Sequence, residues 1–245
     1  MTCQHALFEE SPPVARPRAL PQQAWSEQAW SKQTWFQPVV DTFDHRVAAH
    51  QCLLRYEGHE GEDYDISEAE RIRFLAIEAA ARHPWQGLYF FKLTPASLDN
   101  PERDMHSTVE AIFEFGLKPG CIAFEVAETD LIRDPGRTRV IRDYLRSNGF
   151  GFALAHVGTG AGAQSFQAVA DFKPDYINLD RRLVRNFDKP VCAPTIGKLM
   201  RMAEKSGARV IADGVDRART VENLWLLGVQ FMQGNVFGED SFRAA

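Results

Sequence analysis

Short apolar runs alternate with longer amphipathic stretches from Trp35 almost to the end of the chain, and this alternation limits the fold more than any other feature. Runs at 36–40, 48–56, 88–93, 122–126, 150–155, 176–179, 209–212 and 231–233 have the length and apolar content of strands. Between them, 67–83, 101–116, 135–147, 163–171, 190–206 and 217–227 carry apolar residues three and four apart, as in Ile72, Leu75, Ile77 and Ala79. Gly149, Gly207 and Gly228 stand just before strands, where helices stop. Such alternation calls for parallel strands joined by helical crossovers. Its many units favour a closed (β/α)8-type barrel over an open doubly wound sheet. No G-x-G-x-x-G follows the first strand. The glycine-rich 158–162 stretch lacks the Lys-Ser/Thr of a phosphate loop. A length of 245 residues suits one such α/β barrel as a single domain.

Residues 1–34 break this pattern and read as a tail preceding a barrel over 35–245. Pro12, Pro13, Pro17 and Pro21 interrupt any helix early in the tail. Trp25, Trp30 and Trp35 then recur at a five-residue step, which turns a helix by about 140° and scatters the rings around it. The favoured reading is a short helix that plugs the bottom of the barrel; exposed Trp anchors for a partner are the alternative.

Composition narrows the function classes. Against 28 Lys and Arg stand 33 Asp and Glu, a net charge of −5, so bulk charge does not draw this chain to nucleic acid or anionic lipid. No apolar run has the length of a membrane helix, and the first residues lack a secretory signal. Cys3, Cys52, Cys121 and Cys192 are scattered, as free thiols in a reducing cytoplasm would be. A cytoplasmic protein is expected.

In a barrel of this kind, chemistry gathers where strand C-termini meet their loops. The residues there are Gln51 and Arg55, Lys92, Glu125 and Glu128, Ala155 and His156, Asn178 and Asp180, Asp213, and Gln233. A two-metal hydrolytic site needs several converging carboxylates around cations about 4 Å apart. Here Glu125 and Asp213 alone stand out as inward candidates, expected on neighbouring strand ends.

Several segments carry a family resemblance. They are Phe36-Gln37-Pro38-Val39-Val40-Asp41, Gln51-Cys52-Leu53-Leu54-Arg55, and Phe124-Glu125-Val126-Ala127-Glu128-Thr129. Gly158-Thr159-Gly160, Pro174 through Asp180, Ile211 through Asp216, and Met232-Gln233-Gly234 follow. In this order over residues 35–238, they resemble an EAL domain, the family of phosphodiesterases that open cyclic di-GMP to linear pGpG. The resemblance implies an EAL-type modified (β/α)8 barrel, and it implies which positions would hold two divalent cations.

At those positions the chain departs from the family. The name-giving Glu is Gln51, the Asn of the next ligand strand is Lys92, and the Asp-Asp pair is Ala155-His156. The Lys that helps position the attacking water is Asn178, and the late Glu is shortened to Asp213. Glu125 and Gln233 are kept. Mg²⁺ and Mn²⁺ rely on hard anionic oxygens, and most are gone. No metal and no catalytic residue are therefore expected; Mg²⁺ or Mn²⁺ belongs only to a weak-phosphodiesterase reading. Lys92 is expected to act as a fixed cation beside Glu125, and His156 as a hydrogen-bonded structural residue.

Three functions follow from the resemblance: a non-catalytic regulator acting through an unidentified protein partner, a cyclic di-GMP receptor without turnover, and a weak phosphodiesterase. The first is favoured. In a receptor, Leu53, Arg55, Asp213 and Gln233 would contact the ligand, with Arg55 suited to phosphate. Arg181, Arg182, Arg185 and Lys189 form a basic cluster, read as a solvated helix face. The resemblance places that stretch near a dimerisation face, which makes a homodimer compatible with the chain. Nucleic acid and membrane are not expected partners.

Overall fold

The computed structural model describes residues 33–55, 66–83, 85, 87–95, 98–158 and 162–238. Eight strands close into a barrel in chain order. They are β1 (Gln33–Asp41), β2 (Arg46–Arg55), β3 (Leu88–Lys92), β4 (Ile122–Ala127), β5 (Gly151–Val157), β6 (Tyr176–Leu179), β7 (Arg209–Ala212) and β8 (Phe231–Met232). Around them lie α1 (Ile66–Arg82), α2 (Pro101–Asp104), α3 (His106–Glu114), α4 (Glu128–Arg133) and α5 (Pro135–Ser147). The rest of that layer is α6 (Ala163–Phe172), α7 (Arg181–Arg185), α8 (Cys192–Ser206) and α9 (Ala218–Leu226). The closed α/β barrel expected from the alternation is what forms.

One strand runs against the others. β1 is antiparallel to β2 and to β8, while every remaining neighbour pair is parallel. The cause is the short connection between the first two strands, because a parallel pair needs a crossover of a dozen or more residues. A tight turn joins them instead. The Asp41 carboxylate accepts from the amides of Phe43 at 3.1 Å and Asp44 at 3.2 Å, and His45 closes the turn with φ of 52°. β1 therefore begins beside Arg55, at the mouth where the parallel strands end, and finishes at the opposite end.

Some local expectations change. The stretch 101–116 is two helices broken at the buried Met105, each with its own start; Asn100 caps the first by accepting from the Arg103 amide. Helix α4 occupies a stretch read as a strand-end loop. Gln33-Thr34-Trp35, the last unit of the Trp repeat, lies in β1 with Trp35 half-buried at the mouth end, so that unit is extended and does not plug the bottom. Trp25 and Trp30 lie outside the described residues.

Two apolar layers hold the barrel. The larger one fills the space between strands and helices, with Phe124, Phe152, Ile141 and Leu199 fully buried in it. The smaller one fills the lumen, where Val39, Ala49, Phe90, Ala123, Ala153 and Ile211 pack with Leu88, Tyr176 and Phe231. Phe90 and Tyr176 meet edge to face at 5.0 Å, and the facing alanines leave room for both rings. Each strand contributes to this floor. It is the reference level for everything above it.

At the mouth, the segments after β7 and β8 are zipped together. The Val215 amide donates to the Gln233 carbonyl at 3.0 Å, and Val215 receives the Val236 amide. Gly234 passes so close, with φ of +151°, that a Cβ would fall 2.3 Å from the Val215 carbonyl oxygen and 2.4 Å from its nitrogen. Gly234→Ala is therefore expected to cost about 3 kcal/mol or more in urea unfolding. Gly120→Ala, where a Cβ meets nothing within 4 Å, should stay within about 0.5 kcal/mol of the parent.

Candidate functional site

Side chains on a strand alternate between faces, so the next inward position above the lumen floor is two residues further along each parallel strand. On the reversed β1 it is two residues earlier. This arithmetic lifts Val39, Ala49, Phe90, Ala123, Ala153, Tyr176, Ile211 and Phe231 to Gln37, Gln51, Lys92, Glu125, Ala155, Asn178, Asp213 and Gln233. Seven of the eight positions singled out in the sequence thus form one ring directly above the apolar floor. Gln37 completes it, on the strand whose direction the sequence had not revealed.

A continuous line of hydrogen bonds crosses this ring. Gln51 Nε2 donates to Glu125 Oε2 at 2.7 Å, and Asn178 Nδ2 donates to the other Glu125 oxygen. Gln233 Nε2 donates both to Gln51 Oε1 at 2.8 Å and to Asp213 Oδ1 at 3.0 Å. The second Asp213 oxygen receives Arg181 Nη2 at 3.3 Å. The expectation that Glu125 and Asp213 sit on neighbouring strand ends is corrected here. They belong to β4 and to the end of β7, and amides bridge between them.

Glu125 is buried, and burial pushes its carboxyl up to about 7. The Gln51 amide, the Lys92 charge and the Asn178 amide pull the other way, while the Asp213 charge adds to the rise. Lys92 is its direct register partner on β3 and is solvent-exposed. It acts on Glu125 by charge, with Gln51 and Asn178 as the hydrogen-bonding neighbours.

His156 stands apart from the line. It occupies an irregularity in β5 with φ of 58°, in the left-handed region uncommon for a residue with a side chain. Its Nδ1 lies 3.7 Å from Asp180 Oδ2. Asp180 also caps α7 through the Arg182 amide at 2.8 Å and meets Arg182 Nε at 3.3 Å. Leu53, two residues above Gln51 and opposite Trp35 on β1, is half-buried at the mouth. Arg55 ends β2, and its side chain lies outside the described residues.

The basic cluster lies on an exposed helix face, as expected, and its arginines make ion pairs there. Arg181 meets Asp213, Arg182 meets Asp180, and Arg185 meets Asp216 at 2.7 Å. Arg181 is the functional residue that strand-end reasoning missed, because it belongs to a helix and not to a strand. Its approach depends on Gly214, where φ is +76° and a Cβ would stand 2.6 Å from the Arg181 Cβ.

The donor set fits a divalent pair poorly. Both oxygens of Glu125 accept from amides, Asp213 is shared by an amide and a guanidinium, and Ala155 offers no ligand atom. Among the described residues no group of three or more His, Cys, Asp or Glu is placed to hold a metal ion. No helix there is long and apolar enough to cross a membrane.

The EAL domain profile matches residues 22–240, and the chain belongs to that family. It is 28% identical over 149 residues to the cyclic di-GMP phosphodiesterase RocR of Pseudomonas aeruginosa, covering 60% of this chain and 37% of that one. It is 24% identical over 220 residues to PdeN of Escherichia coli, a probable cyclic di-GMP phosphodiesterase, covering 81% and 41%. The chain thus spans less than half the length of these relatives. In fold it is similar to a standalone EAL protein of Vibrio cholerae solved with cyclic di-GMP bound, with a TM-score of 0.77 and 24% identity. That likeness covers 87% of this chain and 93% of the other.

Protonation of Glu125 ties stability to pH. Its folded value near 7 lies above the ordinary 4.5, so between the two the native state holds the extra proton. Stability from this group is full below pH 4.5 and is lost as pH rises through 7, on the order of 3 kcal/mol. Glu125→Gln should remove that loss, since an Asn178 amide flip would present its oxygen to the new amide. Urea unfolding at pH 5 and pH 8 should show the variant gaining on the parent at the higher pH. An unchanged difference would contradict the assignment.

Proposed function

We propose that this EAL-family barrel is a catalytically inactive regulator in bacterial cyclic di-GMP-related signalling, working in the cytoplasm through contact with a protein partner. The observation that carries this reading is the closed line Asn178–Glu125–Gln51–Gln233–Asp213–Arg181. In a two-metal phosphodiesterase these lone pairs would hold cations that activate water and stabilise the transition-state charge. Here neutral amides and an arginine take them up. No Mg²⁺ or Mn²⁺ is assigned to the chain, and none of the ring residues is assigned a catalytic role.

A second reading has its own observation. Lys92 is exposed on the ring and Arg181 is about half exposed beside it, so the mouth presents cations as well as buried acids. That suits a receptor for cyclic di-GMP, the ligand seen in the Vibrio cholerae structure, with Leu53, Arg55, Asp213 and Gln233 as contacts.

The test is turnover. Purified protein incubated with cyclic di-GMP and Mn²⁺ or Mg²⁺ is expected to release no pGpG over hours, and measurable pGpG would overturn the proposal. Calorimetric titration separates the two readings. Micromolar binding without turnover favours the receptor, and absence of heat favours regulation through protein contact.

A further inference from the structure

We infer that Lys92 and Arg181 form a pair of cations that lets this mouth hold a ligand with two phosphodiester groups without any metal. The inference rests on the receptor reading above and gives that site its chemistry. Lys92 rises from β3, and Arg181 reaches Asp213 at the end of β7. In a closed ring of eight strands these two walls face each other across the lumen. Each cation sits beside one ring carboxylate, Lys92 against Glu125 in register and Arg181 at 3.3 Å from Asp213. With Glu125 ionised the four formal charges cancel, and with it protonated one positive charge is left, so an incoming dianion does not meet the repulsion that a ring of bare carboxylates would impose.

Arg181 is also held in place before any ligand arrives. Its helix is capped by Asp180 at the Arg182 amide and pinned by the Arg185–Asp216 pair at 2.7 Å. On either side of it, two glycines allow contact that a Cβ would block: Gly214 against Arg181 and Gly158 against Leu183, where a Cβ would come within 2.7 Å. A guanidinium has five donor hydrogens, and Asp213 takes one of the Nη2 pair. The planar fork suits a phosphodiester, and pre-organisation spares the ordering cost of binding. A lysine opposite supplies a point charge for the second phosphate.

The experiment is calorimetric titration of the full chain with cyclic di-GMP, once in EDTA and once in Mg²⁺. Equal dissociation constants in both buffers are expected, with weakening as salt is raised. Lys92→Ala and Arg181→Ala should each weaken binding tenfold or more, Arg181→Lys should recover part of the loss, and Arg182→Ala should change nothing. GMP, with one phosphate, should bind at least tenfold more weakly. Circular dichroism melts identify any variant that fails to fold; Lys92→Ala and Arg181→Lys then decide. Binding that needs Mg²⁺, variants that bind as the parent does, or no heat in either buffer would overturn the inference. Of these, Mg²⁺-dependent binding without cleavage leaves the receptor reading standing, and absence of heat leaves regulation by protein contact. Release of pGpG would instead overturn the non-catalytic proposal.

Discussion

A carboxylate enclosed in a barrel lumen must be neutralised, given hydrogen-bond donors or protonated, and Glu125 is where this fold meets that demand. The answer is built from neutral side chains. Gln51 and Asn178 each turn an amide hydrogen toward one carboxylate oxygen. Because an amide is both donor and acceptor, the Gln51 oxygen is then left facing inward and must itself be satisfied. Gln233 does so, and its second hydrogen reaches Asp213. Satisfying one buried acid therefore fixes the orientation of three amides and ends at a second acid. That acid in turn explains why Arg181 leans over the mouth. The demand begins on β4, and its consequences are felt on α7.

This chain of consequences exists only because the strands are in register. The floor of small and aromatic residues sets the level, and alternation carries it upward to one ring of positions, polar on every strand but β5, where Ala155 stands. A shift of one residue on any strand would exchange its ring member for an outward one. β5 shows the effect locally. Its ring position is Ala155, and the irregularity between Leu154 and Val157 sets the next residue, His156, near Asp180. The histidine is thereby attached to the cap of α7 rather than to Glu125.

Much of this was legible in the sequence, and what was not has a physical reason. Strands such as Ile122–Ala127 are buried on nearly every residue and read as apolar runs broken only at Glu125, so their positions were plain. Long helices such as Cys192–Ser206 show their period clearly. Short helices do not, and α4 with six residues has no stripe to see. The break at Met105 was hidden because the apolar pattern continues through it, with the cap supplied by Asn100 from outside the period. Seven ring positions could be found from their motif segments. Their bonding could not, since hydrogen bonds such as Gln233 to Gln51 join residues 182 apart in the chain. Neighbourhood in the barrel was misjudged for the same reason: Glu125 and Asp213 look like successive acids but are separated by three steps around the ring.

The substitutions that the family resemblance implies at this ring fit together as one set. A glutamate in place of Gln51 would set a third carboxylate against Glu125 and leave Gln233 as its only amide donor among the bonds described. The glutamine keeps the length of that side chain and reverses the polarity of one end, which turns a repulsive contact into the 2.7 Å bond. Asn178 donates to Glu125 where the resemblance implies a lysine, so that donor is neutral and the positive charge stands instead on Lys92, the register partner of Glu125. Arg181 reaches Asp213 at 3.3 Å, and Gly214 gives its helix the room to do so. Each change makes sense only in the presence of the others, because a buried polar network left half satisfied costs more than one that is absent. Restoring a single family residue would therefore break the line without rebuilding a cation site.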